Sequence, residues 1–159
     1  MKTPAEMTIH FALNPDAVAI ESAASKDEIF GKLAQRFAAA WDLEPEAVFE
    51  GLDEREKLGS TGFGRGVAIP HARLPGIRRP LAALIRLKGP VDFQAADGLA
   101  VDLVFGLVSP ENCGATHLHA LAEISRLVRD ERIHQALYDA PDAEAMYALI
   151  TNVTDRDAA

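Results

Sequence analysis

Only one cysteine occurs in the 159 residues. Cys113 has no partner in the chain, which excludes an intramolecular disulfide and a cysteine-based zinc site. Long apolar runs are missing as well. No stretch approaches the roughly 20 residues a helix needs to cross a bilayer. The first residues, Met1 to Pro15, lack the apolar core of a signal peptide. These absences set the expectation of a cytoplasmic protein without membrane insertion. Acid is absent from residues 57–91, which hold seven bases: Lys57, Arg65, Arg73, Arg78, Arg79, Arg86 and Lys88. The segment before it has 12 acids against 5 bases, and the segment after it 12 against 4. The net charge of −8 argues against nucleic acid as the main partner. The island itself fits a solvated face, or a positive field for a phosphoryl group or an anionic partner.

What is present is ordinary for a globular chain: 48% hydrophobic and 25% charged residues. There is no internal repeat, low-complexity segment or interdomain linker. One domain over residues 1–159 is expected, with its secure core at about 25–152. Val18 to Ile20 reads as a short strand. Ser25 is a helix N-cap, with Glu28 completing a capping box. Ile29, Leu33 and Phe37 then recur at helical spacing, so residues 26–40 form an amphipathic helix, with Trp41 a core or rim anchor. Pro45 opens a second helix that closes at Arg55. Leu81 to Leu87 reads as a strand stopped by Gly89-Pro90, and Val101 to Val108 as a strand buried on both faces. Helices follow from Thr116, the expected N-cap, to about Arg129, then over 131–139 and 142–152. Asp142 is a capping candidate, and the tail from Thr154 is expected to fray. Strands bracketed by helices imply an α/β (α+β) domain with helices on a mixed sheet.

Between Arg55 and Arg73 the chain carries four glycines in eight positions: Gly59, Gly62, Gly64 and Gly66. Glycines this dense suit a loop that visits positive φ and comes close to another group. Val67-Ala68-Ile69 is a short buried strand, and Pro70 holds His71 at its exit. One imidazole therefore lies beside backbone N–H groups able to bind an anion. Standard nucleotide fingerprints fail here. Gly59 and Gly64 have P-loop spacing, but Arg65-Gly66 stands where Lys and Ser or Thr are required. The third glycine comes one place early for a dinucleotide loop. A hydrolase also lacks support, since no serine nucleophile elbow is evident.

A second histidine, His117, shares a helical stripe with Leu121, Ile124 and Val128. His119, Glu123 and Arg126 fall on the opposite, polar side. Two histidines at i, i+2 do not face one metal, and no His-Glu-x-x-His pattern occurs, so no metal is expected. Read by itself, His117 fits a satisfied, semi-buried histidine or a functional one. Arg55 fits a cation at a helix C-terminus or one that faces phosphate.

Arg55-Glu56, Gly59-Ser60-Thr61-Gly62, Gly66 through His71, and Thr116-His117-Leu118-His119 together form a long, specific string. It resembles the phosphorylation site of enzyme IIA of the phosphoenolpyruvate-dependent phosphotransferase system, fructose/mannitol branch, nearest the nitrogen-regulatory type. The resemblance implies reversible phosphorylation of His71 on Nε2, with a phosphohistidine carrier protein as donor. It places His117 beside His71. Arg55, Ser60, Thr61 and the amides of Gly62, Gly64 and Gly66 would position and stabilise the phosphoryl group, without metal, nucleotide or cofactor. It also implies a mainly regulatory role toward targets such as a potassium transporter or a sensor kinase. Transfer to an enzyme IIB for fructose/mannitol-type uptake is the alternative, and a non-phosphorylated anion-sensing module is a further one. Monomer or weak dimer is expected.

Overall fold

The computed structural model describes residues 10–158. The N-terminal segment before His10, read above as lacking a signal peptide, lies outside them. In chain order the elements are β1 (Val18–Glu21), α1 (Lys26–Trp41), α2 (Pro45–Lys57), β2 (Gly62–Gly64), β3 (Val67–Ala68), β4 (His71–Leu74), β5 (Leu81–Val91), β6 (Val101–Pro110), α3 (Ala115–Arg129), α4 (Glu131–Asp139) and α5 (Ala143–Ala158). The six strands form one mixed sheet ordered β1-β5-β6-β3-β2, with β4 also paired to β6. β1 runs parallel to β5, and β3 and β4 run parallel to β6; the β5–β6 and β2–β3 pairs are antiparallel. The expected class is the one found.

Local chemistry explains the helix starts. Ser25 Oγ accepts from the Glu28 N–H at 3.2 Å. The Glu28 carboxylate accepts from the Ala24 N–H, one residue before the cap. Asp142 Oδ1 accepts from the Ala145 N–H at 2.8 Å. Ile29, Phe30, Leu33, Ala34 and Phe37 form the buried stripe of α1. That stripe lies against Gly106 at the sheet centre. A Cβ there would stand 3.0 Å from Leu33 Cδ2 and 3.4 Å from Phe37 Cε2, so the glycine is what lets the helix approach. The core reaches further toward both ends than 25–152: Phe11, Ala12 and Leu13 are buried, and so is Thr154.

Several sequence expectations are corrected. β5 does not stop at Gly89-Pro90 but continues to Val91. Its register with β6 slips between Arg86 and Val91, and Pro90 sits within the slip, where no ladder N–H is required. α2 runs two residues past Arg55, to Lys57. α5 continues beyond Thr154, whose hydroxyl donates back to Ile150 O at 2.9 Å. His71 starts a strand instead of ending one.

Arg86, a member of the basic island, closes the end of α4. Its guanidinium donates to the carbonyls of Leu137, Tyr138 and Ala140 at 2.6, 3.1 and 2.8 Å. These are carbonyls at and just beyond a helix C-terminus, where a cation is favoured. Arg86→Met keeps much of the apolar stem and removes all three bonds. It is expected to cost about 2 kcal/mol, read as a lower urea midpoint with an unchanged slope.

Candidate functional site

β3 and β4 behave as one strand broken at Pro70. Val67 pairs with Leu103 and His71 with Leu107, the same offset on both sides of the break. Proline has no N–H to give, but its carbonyl still accepts from the Leu107 N–H at 2.9 Å. Ile69 is pinned from the other side by its N–H to Thr61 O at 2.9 Å. Its carbonyl lies 2.8 Å from His71 Nδ1. A carbonyl can only accept, so Nδ1 carries the proton and the lone pair of the neutral ring is on Nε2.

The rings of His71 and His117 have centroids 5.5 Å apart and are inclined by 51°. His117 enters from the first turn of α3. That helix is not capped by Thr116, as the sequence suggested. Gly114, at φ 56°, occupies the cap position, and no side chain bonds there. His117 is 5% exposed, and its Nδ1 lies 2.7 Å from Ser109 Oγ on β6. The expected wheel holds for His117 and His119 but fails for Glu123. Glu123 is buried and Leu118 is 60% exposed. Burial lowers the pKa of His117 to about 4, helped by the nearby charges of His71 and Arg73. Burial also lowers that of His71; the Ile69 carbonyl and Glu56 oppose the shift, and Arg55 adds to it. Both rings are neutral at pH 7.

Glu56 anchors the loop that leads to His71. Its buried carboxylate takes Lys26 Nζ at 2.8 Å and the Thr61 N–H at 3.0 Å, and also accepts from the Thr61 hydroxyl. Arg55 donates to Gly59 O at 2.9 Å. Ser60 Oγ accepts from the Gly62 N–H at 3.1 Å, and the Arg65 N–H goes to Asp97 at 2.9 Å. The loop is thus less of an open nest than expected. The N–H groups of Thr61, Gly62 and Arg65 and the Thr61 hydroxyl are engaged within the protein. Gly64 and Gly66 are not brought to His71. They flank Arg65 in the β2–β3 turn, where Gly66 lies against Tyr138 and Asp102.

Two open clefts meet at His71. One, of about 410 Å³, is lined by Glu54, Arg55, Leu58, Arg73 and His117 as well as His71. The other, of about 370 Å³, is lined by His71, Ser60, Thr61, Gly62, Phe63 and Ser125, among others. Of the basic island, Arg73 lines a cleft with His71. Arg86 caps α4, Arg65 pairs with Glu131 at 3.1 Å, and Lys57 pairs with Asp53 at 3.2 Å. Sequence reasoning gave no role to Glu56 or Ser109. Glu56 stood inside the recognised string; Ser109 carried no local signal. Among the described residues, no group of three or more His, Cys, Asp or Glu side chains is arranged to hold a metal ion.

Residues 12–153 match the family described as "Phosphoenolpyruvate-dependent sugar phosphotransferase system, EIIA 2". The nitrogen regulatory protein of Bradyrhizobium diazoefficiens is 46% identical over 126 residues, covering 79% of this chain and 82% of that one. The crystal structure of nitrogen regulatory protein IIA-Ntr from Neisseria meningitidis superposes with a TM-score of 0.80 at 36% identity, over 86% of this chain and 94% of that one. Mannitol IIA from Escherichia coli, at 21% identity, shares the fold with a TM-score of 0.69, over 87% of this chain and 99% of that one.

Two outcomes are expected from this geometry. Glu56→Ala leaves Lys26 and the Thr61 N–H without their buried partner and should cost about 3 kcal/mol. Faster hydrogen exchange of the Thr61 amide should accompany the loss. A cost below about 1 kcal/mol would class the pair with exposed ones. The pH dependence follows from His117. The unfolded chain protonates it near pH 6.5, the folded chain only near 4. Its contribution is therefore fully present above pH 6.5 and is lost as pH falls through 4. His117→Gln should flatten that part of the stability profile, measured by urea unfolding across the window. His71 and His134, both shifted downward, keep part of the slope.

Proposed function

Because the chain belongs to the EIIA 2 family of the phosphoenolpyruvate-dependent sugar phosphotransferase system, we propose that it is a phosphocarrier that accepts a phosphoryl group on His71 Nε2 from a phosphohistidine carrier protein, and that it acts mainly in regulation. The observation that carries the reading is the His71 ring itself. Its Nδ1–H is held by the Ile69 carbonyl, its Nε2 has no hydrogen-bond partner among the described residues, and Arg55, Arg73 and His117 line the same cleft.

Phosphoryl transfer asks chiefly for positioning and charge stabilisation. The Nε2 lone pair forms the new N–P bond as the donor's N–P bond breaks, and the donor ring keeps that electron pair. His71 already bears a proton on Nδ1, so its ring becomes cationic beside the anionic phosphoryl group. A donor ring that was itself protonated returns to neutral imidazole, and no proton has to move. The Ile69 carbonyl then faces the positive ring edge. Arg55 and Arg73 supply positive charge to the phosphoryl oxygens, and Ser60 stands on the other flank of His71. His119 is exposed and lines neither cleft.

The regulatory reading draws support from the similarity to nitrogen regulatory proteins. A sugar-uptake IIB is the alternative acceptor of the phosphate. The reaction is assigned to the cytoplasm; among the described residues no helix is long and apolar enough to cross a membrane.

Phosphoenolpyruvate, enzyme I and a phosphocarrier protein should together add one acid-labile phosphate to the intact mass, and His71→Ala should abolish the gain. No gain in the wild type, with phosphorylated carrier confirmed in the mixture, would leave an anion-sensing module as the reading. Onward transfer to a IIB would move the role from regulation to uptake.

A further inference from the structure

Ser109 lies on β6, is fully buried, and points its hydroxyl at His117. Among the described residues, His117 Nδ1 is the only hydrogen-bond partner of that hydroxyl, at 2.7 Å. We propose that Ser109 is a positioning residue: its hydroxyl donates to His117 Nδ1 and thereby puts the ring proton on Nε2, leaving an N–H donor for the His71 cleft. The proposal rests on the phosphoryl-acceptor reading of His71 for its purpose, but not for its geometry.

The direction of the bond follows from satisfaction. A hydroxyl has one hydrogen and two acceptor sites. If Ser109 accepted from Nδ1–H, its own hydrogen would be buried with nowhere to go. An unpaired buried donor is costlier and rarer than an unfilled acceptor site. If Ser109 donates, its hydrogen is satisfied and His117 Nδ1 is satisfied by the same bond. The partner of His71 permits no such choice. The Ile69 carbonyl is an acceptor only and holds the proton on Nδ1.

Two neutral imidazoles 5.5 Å apart are thus set in opposite tautomers by two different oxygens. His71 offers Nε2 as a lone pair, the form a nucleophile needs. His117 offers Nε2 as N–H, the form a phosphoryl oxygen needs. If both rings had Nδ1 protonated, two lone pairs would face the cleft, and His117 would repel the anion that His71 is to hold. The first turn of α3 favours a neutral ring over imidazolium, and the Ser109 hydroxyl then sets which tautomer that neutral ring adopts.

The test reads the ring nitrogens directly. In ¹⁵N-labelled, unphosphorylated wild-type protein at neutral pH, long-range ¹H–¹⁵N correlation should give the Nδ1–H pattern for His71 and the Nε2–H pattern for His117. An Nδ1–H pattern for His117 would overturn the proposal, whatever the phosphorylation assay shows. Ser109→Ala should shift the His117 nitrogens toward the values of a mobile, exchanging ring. It should also slow phosphoryl acceptance by about tenfold. Ser109→Thr keeps the hydroxyl and should restore both. Unchanged nitrogens and an unchanged rate in Ser109→Ala would equally sink the assignment. The wild-type spectrum decides even if Ser109→Ala does not fold. Failure of the broader reading looks different: the tautomers would be as stated, and His71 would take up no phosphate.

Discussion

Pro70 cannot donate a hydrogen bond, and the site depends on how the sheet accommodates that. A proline inside a parallel ladder would ordinarily end the strand. Here the strand is interrupted at Ile69 and Pro70 and resumes in the same register at His71, with the Pro70 carbonyl still accepting from β6. Pro70 keeps the acceptor half of its place in the ladder, and the strand residues on either side remain paired. The freed Ile69 carbonyl turns to the His71 ring. Held by the sheet before and after, that carbonyl is a fixed acceptor rather than a mobile loop atom, and it fixes both the tilt of the imidazole and the position of its proton. The Glu56 carboxylate does comparable work from below. It collects Lys26, the Thr61 amide and the Thr61 hydroxyl, and so sets where the loop begins.

Much of this was legible in the sequence where the signal is local. The capping serine of α1, the stripe Ile29, Leu33 and Phe37, and the inward turn of His117 follow from spacing alone, because helical geometry fixes which residues share a face. What escaped was tertiary. Glu123 is polar and was placed toward solvent, yet it is buried, while Leu118 is apolar and exposed. A wheel drawn for an isolated helix does not know which neighbours will cover it. The basic island looked like a single feature because its members are close in sequence. In the fold they disperse, one to the end of α4, one to Glu131, one to Asp53 and one to the cleft. The glycines invited a similar error. Their density does mark a tight backbone, but half of them build a hairpin turn against Tyr138 and Asp97 rather than a cradle beside His71.

Ser109 and Glu56 show the limit most clearly. Neither belongs to a spacing rule, and each acts through partners that only the folded chain brings near. Serine at a strand end and glutamate at a helix end are ordinary residues in ordinary places. Only the distance of one to an imidazole nitrogen, and of the other to an amide five residues on, gives them meaning.

The half-buried setting of His71 has a consequence for energetics. Desolvation that disfavours charge on the free ring also disfavours it on a ring substituted at Nε2 with its proton still on Nδ1, since that ring is a cation. A single carbonyl and the attached anion are its main compensation. The ring is relieved by giving up its substituent. A phosphoryl group carried there would therefore sit at high group-transfer potential, closer to a charged spring than to a resting deposit. Its direction of travel would then be decided by whichever partner ring next enters the cleft.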